Sequence, residues 1–162
     1  MRNETKQRLK IYAIAIAIPL LVGGLSALLT MNNMQVYEQY QTPPLAPPSW
    51  LFPVVWTALY ILMGVSSAMI WIRKKENRAS SDTGLAFYAA SLAFNFAWSI
   101  LFFNFRWLLF AFLWLLVLLF LIIRTIMAYK PLSHFAAYLQ IPYAVWVAFA
   151  GYLNLGIWLL NR

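Results

Sequence analysis

Five long apolar stretches without charged residues constrain the fold of this chain more than any other feature. They are Ile11–Met31, Leu51–Ile72, Gly84–Phe105, Trp107–Ile123 and Ala136–Leu160. A helix needs about 20 residues to cross the hydrocarbon core of a bilayer. Because lipid offers the backbone no hydrogen-bond partners, a spanning segment satisfies its own peptide groups as a helix. The sequence therefore predicts an all-α membrane protein built as a five-transmembrane-helix bundle.

The predicted bundle is a single domain covering residues 1–162. Its helices are expected at residues 11–31, 51–72, 84–105, 107–128 and 136–160, with a long first loop at 32–50. The first stretch exceeds the length of a signal-peptide apolar region, so we interpret it as a retained helix. No second domain or internal repeat is visible.

Composition excludes several kinds of site. Charged residues make up 10% of the chain, whereas soluble domains carry about 25%. The chain has no cysteine, so disulfides, thiolate nucleophiles and cysteine metal sites are excluded. His134 is the single histidine, which leaves no multi-histidine metal site, and we interpret it as a solvated loop residue. The five stretches hold no Asp, Glu, Lys or Arg for ion coupling or acid–base hydrolysis. The sequence thus predicts no metal and no covalent cofactor.

The distribution of basic residues predicts the orientation. Ten of them lie in the N-terminal tail or after the second and fourth stretches, and two lie on the opposite side, Arg106 and Arg162. Positive charge accumulates on the cytoplasmic side of membrane proteins, so the N-terminus is predicted inside and the C-terminus outside. The net charge of +8 is then explained by the cytoplasm and anionic lipid headgroups, without nucleic acid.

The outer loop at 32–50 contains the proline-rich segment "TPPLAPPSW". Proline fixes φ and removes a backbone donor, so this segment is not expected to be a regular helix. Tyr37, Tyr40, Leu45 and Trp50 give the loop apolar surface to bury. We expect it to fold over the outer helix ends as a lid. The alternative is an unstructured outer loop.

The third stretch has two different faces. Helical spacing places a polar and aromatic set along one stripe, namely Tyr88, Ser91, Asn95, Trp98 and Phe102, with Ser99 beside it. A buried amide in lipid needs a partner. Asn95 is therefore expected either to bond another helix or to contact a ligand directly, and both roles can coexist.

The opposite face of the third stretch carries small residues. They are Ala86, Ala89, Ala90, Ala93 and Ala97. Small side chains spaced four apart let two helix backbones approach closely. This seam is expected to pack either inside the monomer or between two monomers.

Two further helices carry aromatic stripes. Phe52, Trp56 and Tyr60 are four apart on the second helix. The fifth helix has Pro142, Trp146, Phe149 and Ala150 on neighbouring positions, with Tyr143 and Asn154 nearby. Aromatic stripes at this spacing usually serve packing, but three of them beside a proline-rich loop favour a cavity. The fourth helix lacks a polar stripe, so Trp114 is expected to face lipid.

Three segments carry a resemblance to a known family. "PPLAPPSWLFPVVWTALYILMG", "FNFAWSILFF" and "IPYAVWVAFAGYLN" resemble the signature segments of the translocator protein family. Its bacterial members are called tryptophan-rich sensory proteins, and an older name is peripheral-type benzodiazepine receptor. The resemblance covers essentially the whole chain and implies a location in a bacterial cell membrane. Thr42 and Leu45 depart from the family pattern, and Tyr152 lacks the nearby basic residue of the family's sterol motif.

The resemblance implies a pocket in the outer half of the bundle, closed by the first loop, that binds porphyrins and similar flat apolar ligands. It implies a homodimer through the alanine seam. Carried over by motif position, the ligand-binding residues are Pro47, Trp50, Trp56, Tyr60, Asn95, Trp98, Ser99, Pro142, Tyr143, Trp146 and Ala150.

Three functions remain open from the sequence. The leading one is a membrane receptor or translocator for tetrapyrroles such as protoporphyrin IX, with no catalytic residues. The second is an enzyme-like, light- and oxygen-dependent degradation of porphyrin in the same pocket. The third is a structural membrane subunit that binds no ligand.

Overall fold

The computed structural model describes the backbone of residues 2–162 and the side chains from residue 3 onward. Its five long helices are α1 (Arg2–Thr30), α2 (Leu51–Ile72), α3 (Arg78–Ser99), α4 (Leu108–Tyr129) and α5 (His134–Leu160). Each is long and apolar enough to cross a bilayer. The chain is therefore an integral membrane protein, and the predicted five-helix fold is confirmed.

Helices α3 and α5 begin earlier than their apolar stretches because polar residues cap them. The Asn77 side chain accepts a hydrogen bond from the Ser80 amide at 3.1 Å, which sets the start of α3. Ser133 likewise accepts from the Ala136 amide at 3.2 Å and caps α5. Residues Ile100–Asn104 then extend α3 toward the outer end as one π-helical turn. We call the end that carries residues 31–50 and 161–162 the outer end, after the predicted topology.

Around the bundle the helices follow the order α1, α2, α5, α4, α3, so α5 lies between α2 and α4. Helix α5 contacts α2 and α4, and α4 contacts α3. Helices α1 and α2 approach closely at Gly64, where an added Cβ would lie 2.5 Å from the Ile16 Cα. A glycine at this crossing therefore permits contact between two backbones. Helix α4 exposes aliphatic and aromatic side chains on one side, which is the surface expected to meet lipid.

The two faces of α3 lie in different environments. Every member of the predicted polar and aromatic stripe from Tyr88 to Phe102 is buried. On the opposite face Ala86, Ala89 and Ala93 are exposed, and Ala90 and Ala97 are half-buried. The alanine seam thus lies on the exterior of the bundle.

Residues 31–50 form a compact cover over one side of the outer end. Met31–Asn33 makes a 3₁₀ turn and Val36–Gln39 a single helical turn, and the proline-rich part follows without regular structure. Asn33 donates to the Asn104 side-chain oxygen at 2.9 Å, which joins the start of this segment to the end of α3. The segment is therefore structured and attached to the helices.

Candidate ligand-binding site

A cavity of about 280 Å³ lies in the outer half of the bundle, beneath residues 31–50. It is enclosed by α1, α2, the outer part of α3 and the last turns of α5. Its lining residues are Leu20, Gly23, Gly24, Ser26, Ala27, Thr30, Met34, Tyr37, Ser49, Phe52, Pro53, Trp56, Thr57, Tyr60, Trp98, Ser99, Phe102, Phe103, Ala150, Leu153, Asn154 and Ile157.

Aromatic rings around Trp56 form one wall of the cavity. The Trp56 ring stacks on Tyr60 with ring centroids 5.6 Å apart, and its centroid is 6.5 Å from that of Trp98. Trp98 in turn lies 5.5 Å from Phe102. Trp56 and Tyr60 on α2, and Trp98 and Phe102 on α3 and its π-helical turn, are each four residues apart, which aligns them on one face. The wall therefore offers several ring faces to a bound aromatic molecule.

Three hydrogen bonds made by side chains fix the orientation of this wall. The Asn95 amide donates to the Tyr60 hydroxyl at 3.2 Å, linking α3 to α2. The Trp98 indole donates to the Asn154 side-chain oxygen at 3.2 Å, and Asn154 donates to the Leu108 carbonyl at 2.7 Å. Helices α2, α3, α4 and α5 are thus joined at the wall, and the predicted interhelical role of Asn95 is present. The Tyr60 hydroxyl accepts from Asn95 and keeps its own proton for another acceptor.

The cover is held together by hydrogen bonds of its own. The Tyr37 hydroxyl donates to the Pro47 carbonyl at 3.1 Å, and Ser49 donates to the Glu38 carboxylate at 2.8 Å. Burial raises the pKa of the Tyr37 phenol above its usual value, so this donor keeps its proton at neutral pH. The Tyr37 ring also packs edge-on against Phe52, with centroids 5.0 Å apart. One tyrosine thereby connects the proline-rich segment to the cavity.

The end of α5 anchors the other side of the cover. The Tyr152 hydroxyl donates to the Pro44 carbonyl at 2.8 Å. The Asn161 side chain accepts a hydrogen bond from the Gln41 backbone N–H at 3.0 Å and donates one to the Gln41 backbone carbonyl at 2.9 Å. Gly156 on α5 lies directly against Pro43, since an added Cβ at Gly156 would lie 2.6 Å from the proline ring. Residues 41–44 are therefore fitted closely to α5.

The structure brings part of the predicted site to the cavity. Trp56, Tyr60, Trp98, Ser99 and Ala150 line it directly. Their ligand-binding role stays a prediction.

Three predicted residues lie behind the lining. Asn95 supports Tyr60 through its hydrogen bond. The fully buried Tyr143 ring lies edge-on to Trp56 with centroids 6.2 Å apart, and Trp146 packs on Phe52 at 5.9 Å. These three residues therefore hold the aromatic lining residues Tyr60, Trp56 and Phe52 in position.

Pro47, Trp50 and Pro142 do not line the cavity. Pro47 contributes its carbonyl to Tyr37, which does line it. Trp50 is 65% exposed at the start of α2. Pro142 is exposed on α5 because it precedes the buried Tyr143, and adjacent helical residues differ in direction by about 100°.

Sequence reasoning assigned no ligand contact to α1, although this helix forms a large part of the lining. Gly23, Ser26 and Thr30 recur at helical spacing and face the cavity. Gly23 lies against the Tyr60 ring, where an added Cβ would be 2.1 Å from the nearest carbon. The small and hydroxylated residues that recur along this otherwise aliphatic helix were the sequence feature that could have indicated its cavity-facing side. Asn154 was noted beside the aromatic stripe of the fifth helix but was not assigned to the site, and it lines the cavity.

The expectation that Trp114 faces lipid is wrong. Its indole donates to the Phe94 carbonyl at 2.9 Å, and its ring stacks on Phe94 with centroids 4.3 Å apart. Trp114 therefore joins α4 to α3. An indole N–H in lipid needs an acceptor, so the ring turns toward the neighbouring helix.

The cavity is suited to apolar ligands that stack. None of its lining residues from Leu20 to Ile157 carries a charge. Its exposed lining residues include Gly24 and Ala27 on α1 and Pro53 and Thr57 on α2, so the cavity opens on the side of these two helices. Dispersion and ring stacking, with a few hydroxyl and amide groups for orientation, are the interactions available there.

Comparison with known proteins assigns the family. The sequence pattern of the TspO/MBR family matches residues 15–159. The chain is 38% identical to the translocator protein of Bos taurus over 146 residues, covering 90% of this chain and 86% of that protein. It is 35% identical over 154 residues to the tryptophan-rich protein TspO of Chlorobaculum tepidum, covering 92% and 94%. It is 34% identical over 125 residues to the tryptophan-rich sensory protein of Cereibacter sphaeroides, covering 77% and 76%. The five membrane helices and these matches show that the chain belongs to the TspO/MBR family.

Proposed function

We propose that the chain is a membrane receptor or translocator for tetrapyrroles such as protoporphyrin IX and for similar flat, apolar molecules. The observation that carries the proposal is the uncharged cavity whose wall is formed by Trp56, Tyr60 and Trp98. A conjugated ring buries both faces against such side chains, which favours binding through apolar contact and ring stacking. The Tyr60 hydroxyl is the donor available to a polar atom at the ring edge.

The size of the cavity adds a requirement to this proposal. Ligand pockets commonly measure about 300–1,000 Å³, and this one, at about 280 Å³, is smaller than a complete porphyrin. Binding therefore needs residues 31–50 to move, or part of the ring to project between α1 and α2. We propose that the segment acts as a lid, with Tyr37 and the Pro43–Gly156 contact holding its closed position.

The proposal also fixes how a porphyrin lies in the site. Its carboxylates find no basic partner among the lining residues, and an unpaired charge in an apolar cavity is strongly unfavourable. The carboxylates are therefore placed toward the outer aqueous face, and the apolar edge of the ring toward Trp56. An esterified porphyrin is then expected to bind at least as well as the free acid.

A titration of the purified full-length chain with protoporphyrin IX tests the proposal. The expected result is saturable binding, with quenching of tryptophan emission and a shift of the porphyrin absorption band at a fixed stoichiometry. Non-saturable uptake that matches empty detergent micelles would overturn it. That outcome would favour a structural membrane subunit without a ligand.

A second function is favoured by the closeness of oxidisable rings. Trp56 has centroid distances of 5.6 to 6.5 Å to Tyr60, Tyr143 and Trp98. A photoexcited porphyrin beside them, with dioxygen as the oxidant, would undergo oxidative degradation. Product analysis after illumination in air, against dark and oxygen-free controls, tests this activity. An unchanged porphyrin in all three samples excludes it.

Location and association complete the proposal. The ten basic residues in the N-terminal tail, the connection between α2 and α3 and the end of α4 support a cytoplasmic N-terminus and an outer C-terminus. The similar bacterial proteins support placement in a bacterial cell membrane. The exposed alanine face of α3 supports a homodimer, since small residues on an exterior face permit close contact with a second helix.

A further inference from the structure

A second cavity of about 730 Å³ lies at the opposite end of the bundle from the aromatic one. It is a groove between the first turns of α1 and the end of α2, closed by the connection to α3. Its lining residues are Glu4, Gln7, Arg8, Ile11, Trp71, Ile72, Lys74, Lys75, Glu76 and Arg78. The four from α1 follow helical spacing and form one face of that helix.

The groove keeps an excess of positive charge, because its lining holds four basic residues, Arg8, Lys74, Lys75 and Arg78, against the two acids Glu4 and Glu76. Asp82 pairs with both Lys74 and Arg78. Within the part of the chain whose side chains are described, Arg8 and Lys75 make no ion pair. Both are exposed, so their charges are available to an external anion.

The groove also crosses from a charged environment to an apolar one. Trp71 is 51% exposed near the end of an apolar span, and the Lys74 ammonium lies 4.7 Å from the centre of its ring. Tryptophan at this position is typical of the headgroup level of a bilayer. Further along α1, Ile14 and Ile18 are half exposed and continue the apolar surface from Ile11 toward the middle of the membrane. Cations, an indole and exposed aliphatic side chains thus follow one another in the order of a lipid's phosphate, glycerol and acyl chain.

We propose that this groove is a binding site for an anionic phospholipid, whose phosphate faces Arg8 and Lys75 and whose acyl chain follows α1. The headgroup of phosphatidylglycerol carries only negative charge. Phosphatidylcholine would also bring its quaternary ammonium group into a groove that is already positive. Basic side chains at a membrane surface attract anionic lipid in this way. The proposal is independent of porphyrin binding at the outer cavity.

Native mass spectrometry of the full-length chain tests the proposal. The purified protein is incubated with equal amounts of phosphatidylglycerol and phosphatidylcholine that carry the same acyl chains. Phosphatidylglycerol is expected to remain bound preferentially, and the double variant Arg8→Gln/Lys75→Gln is expected to lose that preference. The expected loss is about fivefold for each basic residue, the factor that corresponds to about 1 kcal/mol. The charge-conserving variant Arg8→Lys/Lys75→Arg should retain most of it.

A matched variant separates a site from general attraction. Arg124→Gln/Lys130→Gln removes two exposed basic residues from the same end of the bundle but outside the groove. It should leave the lipid preference unchanged. An equal loss in both double variants would overturn the groove as a site. Displacement of the lipid by inorganic phosphate or by glycerophosphoglycerol at the same concentration would also overturn the proposal, because the occupant would then be a soluble anion.

Discussion

The Trp98 indole donates to the Asn154 side-chain oxygen at 3.2 Å and joins α3 to α5 at the wall of the aromatic cavity. Both residues are buried, and Asn154 is 1% exposed. The same amide reaches the Leu108 carbonyl on α4 at 2.7 Å. One side chain thus connects three of the five helices.

Asn154→Leu is therefore expected to destabilise the bundle. The substitution preserves size but leaves the Trp98 N–H without its acceptor, and a buried unpaired donor costs about 1–3 kcal/mol. The thermal unfolding midpoint in detergent should fall clearly. Thr57→Val is the control, because its hydroxyl donates to the Pro53 carbonyl within α2 at an exposed position. Equal midpoints for the two variants would contradict the bridging role of Asn154.

The contact between Gly156 and Pro43 predicts how the cover is released. An added Cβ at Gly156 would lie 2.6 Å from the proline ring, so Gly156→Ala must push residues 41–44 away from α5. Hydrogen exchange of the Gln41 and Ala46 amides should become faster, since both donate hydrogen bonds in the closed segment at 3.0 and 3.3 Å.

Gly24→Ala is the matched control for this change. No atom lies within 4 Å of its added Cβ, although Gly24 also lines the cavity. Exchange at Gln41 and Ala46 should remain as in the unaltered chain. If Gly156→Ala also left exchange unchanged, residues 41–44 would not be held by α5.

The exposed alanine face predicts the effect of a bulky substitution on association. Ala93→Leu should block close approach of a second α3 helix and yield monomers in mild detergent, as measured by light scattering. Folding should be nearly unaffected, because substitutions at exposed positions usually change stability by less than about 0.5 kcal/mol. Ala13→Leu, at an exposed position on α1, should leave association unchanged. A dimer that persists in Ala93→Leu would remove α3 from the interface.

The charge distribution predicts opposite locations for two reporters. A reporter fused after Arg162 should be outside the cytoplasm, and one inserted at Asn77 should be inside it. The ten basic residues on the Asn77 side, against two on the other, provide the physical reason. Protease access in intact cells measures both. A cytoplasmic signal from the Arg162 fusion would reverse the orientation and place the aromatic cavity in the inner half.

The helices could be predicted from the sequence because the bilayer imposes a strict length and excludes charge. The buried stripe of α3 was also predictable, since Asn95 and Ser91 contrast with the alanines opposite them. The starts of α3 and α5 were harder to predict. Asn77 and Ser133 cap these helices, and a hydrophobic run does not show where the polar first turn before it begins.

The contribution of α1 to the cavity could not be derived in the same way. The membrane-spanning part of this helix is apolar on nearly all sides, so periodicity does not identify the face that turns inward. Gly23 is small because the Tyr60 ring occupies the adjacent space, and that contact joins residues far apart in the sequence. Trp114 was misplaced for a related reason, because the acceptor of its N–H is a carbonyl on another helix.

The central claim is that a flat apolar ligand binds against Trp56, and porphyrin titration of two matched tryptophan variants tests it most directly. Trp56→Ala removes a ring from the cavity wall, whereas Trp71→Ala removes one from the opposite end of the same helix. A lost aromatic contact is worth about 0.5–1.5 kcal/mol beyond its burial, and burial of a large side chain about 1.5–3 kcal/mol.

Porphyrin absorption should therefore report a Kd about one to three decades higher for Trp56→Ala, at about 1.4 kcal/mol per decade. The Kd of Trp71→Ala should equal that of the unaltered chain. Equal weakening by both substitutions, or no weakening by Trp56→Ala in a protein that still binds porphyrin saturably, would contradict the assignment of the ligand to this cavity.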